Sequence, residues 1–138
     1  MDSESHSGAY KGSVDYAVPL KTQIVSAADG IVIRVRDDSK KYGTDPTFGQ
    51  AVNYITIEHS NGELSEYLHL AAGSAVVHVG DYVKMRQVVA KSGLSGWLYA
   101  PHLHFMVYRK IVASSDFQCL DIRFRSPRGR YPEGYCMD

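Results

Sequence analysis

Residues 101–105 read PHLHF. The chain holds six histidines in 138 residues, and two of them, His102 and His104, stand one residue apart. A strand points residues i and i+2 to the same side. Both imidazoles therefore aim at one place, with Cα atoms roughly 6.5–7 Å apart at strand rise, while Leu103 turns toward a core. Two rings so placed can share a metal ion, or one can hold it while the other touches what the metal binds. A lone His-X-His can equally be two half-exposed strand residues, so the other histidines have to decide.

His69 lies in YLHL, where the same period puts Tyr67 and His69 on one face. His6 and Asp15 lie in HSGAYKGSVDYAVP, ahead of the first clear strand. Zinc takes imidazole nitrogen and carboxylate oxygen, and a catalytic zinc site keeps three protein ligands and one open position. The set His6, Asp15, His69, His102 and His104 overfills that need: three groups can bind zinc and two histidines remain for proton chemistry. His59 flanks an Asn61-Gly62 turn and His78 flanks a Gly80-Asp81 turn. Both are expected to be solvated.

The elements that must carry these groups are strands. TQIVSA (22–27) and GIVIRVR (30–36) flank a bend at Ala28-Asp29, with Ile33 and Val35 on one face and Arg34 and Arg36 on the other. VNYITIEHS (52–60) and ELSEYLHL (63–70) form a hairpin. Its Asn61-Gly62 reads as a two-residue turn with positive φ at both positions. Residues 75–93 read as short strands around Gly80-Asp81, LHFMVYR (103–109) as a further strand, and DFQCLDIRF (116–124) as the last. The polar stretch 37–50 is long for a connection in a small domain, and such loops often carry function. Helical periodicity is nearly absent. The fold class is all-β: an antiparallel-sheet domain with a groove walled by loops.

Bulk composition narrows the function classes. The length suits one domain over 1–138 with a modest core. Fifteen basic residues balance fifteen acidic ones, so nothing suggests a basic face for nucleic acid, and the basic run RFRSPRGRY (123–131) reads as a solvated tail. No segment reaches the roughly 20 apolar residues of a membrane span. MDSESHSG has no apolar core of a signal peptide. Cys119 and Cys136 permit one disulfide, and two reduced thiols fit as well.

HSGAYKGSVDYAVP, YLHL and PHLHF, with AADGIVI, VNYITIEHSNG, VGDYVK and SGLSG between them, resemble the lysostaphin-like zinc metallopeptidases of the LytM or M23 family. The resemblance runs from about residue 6 to residue 109, leaving about 110–138 as a C-terminal extension. It implies one Zn2+ ion held by His6, Asp15 and His104, with His69 and His102 as a catalytic pair outside the ligand set. It also implies hydrolysis of peptidoglycan peptides by water attack and a periplasmic or extracellular setting; a monomer is the default expectation for oligomeric state. Many members space the first ligands as HxxxD, which would place Lys11 at the histidine. His6 is assigned through a longer-spaced variant. Arg86 and Ala90 replace family glycines, and Leu94-Ser95-Gly96 replaces NTG.

Three other readings are weighed. A silent LytM-like domain that binds wall or regulates another hydrolase would have lost ligands or catalytic histidines, and all five positions can be filled here. A lipoyl- or biotinyl-type carrier needs a lysine displayed in a context that Lys91 lacks. A cupin-type site expects a glutamate soon after His-X-His, and FMVYRKIVA has none.

Overall fold

The computed structural model describes residues 13–110 and 117–120. Its strands are β1 (Val14–Ala17), β2 (Gln23–Val25), β3 (Gly30–Arg36), β4 (Tyr42–Gly43), β5 (Tyr54–Glu58), β6 (Leu64–Leu68), β7 (Tyr82–Val83), β8 (Val88–Lys91), β9 (Gly96–Trp97), β10 (His102–Lys110) and β11 (Phe117–Leu120). One short 3-10 helix spans Pro46–Ala51, started by the Asp45 carboxylate accepting from the Thr47 N–H at 2.8 Å. The all-β, antiparallel expectation holds.

The main sheet runs β1-β10-β6-β5-β3-β7. The nine-residue β10 is its long member. β1 pairs with the first half of one edge of β10 and β11 with the second half, while β6 takes the opposite edge. Register then sorts side chains by parity. Phe105, Tyr67 and Ile55 line up on one face and meet Val32, Ile57 and, from β2 and β8, Ile24, Val89 and Ala90. This is the core; each such aliphatic or aromatic side chain contributes roughly 1.5–3 kcal/mol on burial. The other face carries Asp15, His102, His104 and Glu66, with a second apolar cluster of Leu64, Met106 and Tyr108 further along. The core therefore fixes the sheet from behind and leaves the histidine face for chemistry.

Local structure departs from simple alternation in three places. The β3–β5 register shifts between Val32 and Arg34. This bulge adds a residue, so Val35 joins Val32 in the main core and Ile33 turns to the Leu64 cluster. The expected shared face of Ile33 and Val35 is thereby undone. The β5–β6 hairpin closes through a three-residue loop instead of two: His59 N–H bonds Glu63 O, Gly62 N–H bonds His59 O, and only Gly62 has positive φ. That is the type I turn with a following left-handed glycine, the next commonest hairpin solution. Residues 75–81 form no strand; Tyr82–Val83 and Val88–Lys91 of that region pair as strands, and Ser92 makes an isolated bridge to Leu70.

Of the expected last strand, Phe117–Leu120 is described. Cys119 packs against the Leu64 cluster, and Cys136 lies outside the described residues. The long 37–50 stretch is ordered by its own small elements: β4 pairs in parallel with β9, and the Trp97 Nε1–H donates to Thr44 O at 3.1 Å. It stands as a wall beside the site.

Candidate active site

β1 and β10 bring three of the candidate groups together by register alone. Asp15 lies opposite His104, and Ala17 opposite His102. The His104 Nδ1 lies 2.9 Å from Asp15 Oδ1, and His102 Nε2 lies 3.7 Å from the same oxygen. His104 is 5% exposed. His102 is half-buried, with its Nδ1 donating to Ala100 O at 2.8 Å.

His69 arrives by a different route from the one its spacing predicts. Strand alternation would put it with Tyr67, but Tyr67 faces the core, where its ring lies 5.2 Å from that of Phe105 and its hydroxyl accepts from Ala27 N–H. β6 ends at Leu68, and His69 has φ 65°, in the left-handed region that non-glycine residues seldom occupy. The turn carries its ring to the histidine face, with centroids 4.5 Å from His102 and 6.1 Å from His104. Such strain persists only where surrounding structure overrides it, and it concentrates at functional sites. The shared face of Tyr67 and His69 is thus corrected: the two diverge.

The surroundings decide the protonation of His69. Its Nδ1 donates to Ser95 O at 2.7 Å, so its Nε2 is the nitrogen left for the site. Burial is the main influence and lowers its pKa from 6.5 to about 4, with the Ser95 carbonyl opposing and His102 adding to the fall. The ring is neutral at neutral pH. Next to this cluster on the same face, burial raises the pKa of Glu66, partly offset by the Tyr108 hydroxyl and Arg34.

Among the described residues, His69, His102 and His104 each offer a ligand atom, and these atoms lie within 4.8 Å of one another. Asp15 adds a carboxylate against two of the three rings. Imidazole and carboxylate together suit zinc, and the donor set fits one such ion. The 2.9 Å between Asp15 Oδ1 and His104 Nδ1 is close to the roughly 3.3 Å edge of a tetrahedral site with ligand bonds near 2.0–2.1 Å. Four of the five residues picked from sequence therefore converge. The fifth, His6, lies outside the described residues.

The other two histidines behave differently from each other. His78 is solvated as expected, with a side chain 91% exposed and Asp81 at 3.7 Å. His59 is not: its Nδ1 donates to Asp29 O at 2.7 Å and its Nε2 meets Ser65 Oγ at 2.8 Å. Ser65 in turn meets the Tyr67 hydroxyl at 3.0 Å. His59 borders a shallow concavity of about 440 Å³ with Asp29, Asn61 and Met85, on the side of Ser65 and Val107, which share the core face. It pins the β5–β6 turn to the bend before β3.

Sequence reasoning passed over Ala100 and Asn53, and met Ser95 only as part of the Leu94-Ser95-Gly96 replacement, with no link to His69. Ser95 and Ala100 meet the histidine rings through backbone carbonyls, which any residue supplies, so no residue type announces those contacts. Asn53 carried a weak signal: an amide flanked by strand formers is costly to bury unless it bonds on every side.

A cluster of imidazoles and a carboxylate on one face of an antiparallel sheet defines a metallohydrolase-type site. The chain belongs to Peptidase family M23, whose model matches residues 9–116. The peptidoglycan DD-endopeptidase ShyB of Vibrio cholerae is 38% identical over 93 residues, covering 67% of this chain and 19% of that protein. A crystal structure of a zinc-containing peptidase from Vibrio cholerae is 38% identical with a TM-score of 0.54, covering 67% of this chain and 25% of that one. The catalytic domain of lysostaphin from Staphylococcus simulans is 28% identical with a TM-score of 0.59, covering 78% of this chain and 74% of that domain. The chain spans between 18% and 24% of the length of the curated relatives it matches. No helix among the described residues is long and apolar enough to cross a membrane.

Proposed function

We propose that this chain is the catalytic domain of a zinc metalloendopeptidase that hydrolyses stem peptides or peptide cross-links of bacterial peptidoglycan, working as a monomer in the periplasm or outside the cell. The observation that carries the reading is the convergence of Asp15, His69, His102 and His104 on one face of the sheet. Kinship with a peptidoglycan endopeptidase and a zinc-containing peptidase supports the choice of substrate and metal.

Asp15 and His104 would hold the zinc, with His6 as third ligand. Bound there, zinc would supply Lewis-acid polarisation of the scissile carbonyl and lower the pKa of a water to about 7. The chain's own residues do the rest. His69, neutral and oriented by Ser95 O, presents Nε2 to accept or return a proton. His102, oriented by Ala100 O, lies beside it and faces the same centre. The pair takes the water's proton, steadies the developing oxyanion and protonates the leaving amine. The 37–50 wall and the segment leading to His102 flank the substrate.

One observation favours a second ligand arrangement: the three imidazoles are themselves close enough to share an ion. Zinc content separates the two. Under the first arrangement His69→Ala keeps one zinc per chain while His104→Ala loses it; under the second, both lose it. Digestion of defined muropeptides by zinc-loaded protein, with products read by mass, tests the activity. Cleaved products are expected. Full zinc occupancy with no new amine groups would make this a silent, wall-binding member of the family.

A further inference from the structure

The left-handed turn and neutral ring of His69 need something to hold them, and one buried knot does so. Asn53 is fully buried. Its Oδ1 accepts from Ser39 N–H at 2.9 Å, and its Nδ2 donates to Ser39 O at 2.8 Å and Leu70 O at 3.2 Å. Its own N–H donates to Ser95 Oγ at 3.0 Å, and that hydroxyl donates to Leu70 O at 3.0 Å. The carbonyl of residue 70, next in chain to His69, thus has two donors from this knot. Ser95 is also fully buried.

The planar peptide joining Ser95 to Gly96 uses both its ends. Its carbonyl accepts from His69 Nδ1 at 2.7 Å, and its N–H donates to Lys41 O at 2.9 Å, in the 37–50 wall. Gly96 sits at φ 80°, and a Cβ there would lie 2.7 Å from Val52 Cβ. A side chain would push this peptide out of place.

Resting on the reading that His69 handles protons, we propose that Ser95 and Asn53 are positioning residues for His69. Through the Ser95–Gly96 peptide they hold its Nδ1–H tautomer and tie the ring to the wall at Ser39–Lys41. His69 and the wall then move as one unit, so the orientation of the ring depends on how the wall is seated. Sequence neighbours do not reveal this, because Asn53 and Ser95 lie 42 residues apart.

The test pairs Ser95→Ala with Ser92→Ala in the full zinc-loaded chain. Ser92, itself buried, makes a part-buried pair of side-chain bonds, accepting from Thr22 N–H at 3.0 Å and donating to Pro19 O at 2.8 Å, with no bond to the His69 ring. Imidazole 15N shifts report the tautomer, and hydrolysis kinetics are measured well below each variant's unfolding midpoint. Ser95→Ala is expected to populate both His69 tautomers and to lower kcat about ten- to hundredfold, with KM and zinc content unchanged. Ser92→Ala is expected to lose stability alone. A Ser95→Ala protein destabilised like Ser92→Ala, with one tautomer and parental kcat, would overturn the proposal. Ser95→Cys, close in volume with a weaker hydrogen-bonding group, carries the same comparison should the alanine variant fail to fold. A parent inactive on every muropeptide would sink the peptidase reading, while the tautomer measurement would still decide the positioning claim.

Discussion

His59 and His69 each follow the end of a strand, β5 and β6, and each gives Nδ1 to a backbone carbonyl. Their second nitrogens separate them. The His59 Nε2 meets Ser65 Oγ on the core face, so both ends of its ring are consumed by the fold. The His69 Nε2 is turned toward His102 and His104. Burial and hydrogen bonding therefore do not by themselves mark a functional histidine. What marks it is a ring held at one nitrogen and presented at the other.

The largest expected effect probes that contrast directly. His69→Ala should reduce kcat on muropeptides by about 10²–10⁴-fold, the usual weight of a general acid–base group. Measured on the same substrate, His59→Ala should keep kcat within about twofold. Equal losses in the two variants would erase the distinction.

Stability should show the reverse order. His59→Ala leaves Ser65 Oγ and Asp29 O short of a partner and should cost about 1–3 kcal/mol in denaturant unfolding. An unchanged midpoint would mean that water replaces the ring without penalty.

Titration sharpens the comparison further. The folded state keeps His69 neutral down to about pH 4, whereas the unfolded chain takes up its proton near 6.5. Between those values the unfolded state binds more protons, so this residue's contribution to stability falls as pH falls. Chelator-treated protein should lose thermal stability from pH 6.5 toward 4, and His69→Gln should flatten that slope.

The smallest effect concerns another left-handed residue. Arg86 has φ 70° in the turn where Gln87 N–H bonds Lys84 O. Arg86→Gly should raise stability by up to about 1 kcal/mol by relieving the Cβ conflict, set against glycine's greater freedom when unfolded. Hydrolysis should not change. The left-handed strain at Arg86 would then be incidental, in contrast to that at His69.

The residues themselves carried much of the design. Period-2 alternation marked β3, β5, β6 and β10 and put His102 beside His104, because side-chain direction on a strand follows from local geometry. The types His and Asp named the metal chemistry, and the motifs YLHL and PHLHF pointed to the family whose model matches residues 9–116. Tertiary structure decided what alternation could not. It supplied the bulge at Ile33 and the one-glycine hairpin, both set by how neighbouring strands fit together. It gave His59 a structural task and turned His69 to the opposite face from Tyr67. Those outcomes depend on a left-handed backbone angle and on carbonyls supplied from distant segments, Asp29 for one and Ser95 for the other. A carbonyl is common to every residue, so only the folded chain shows which one a ring will meet.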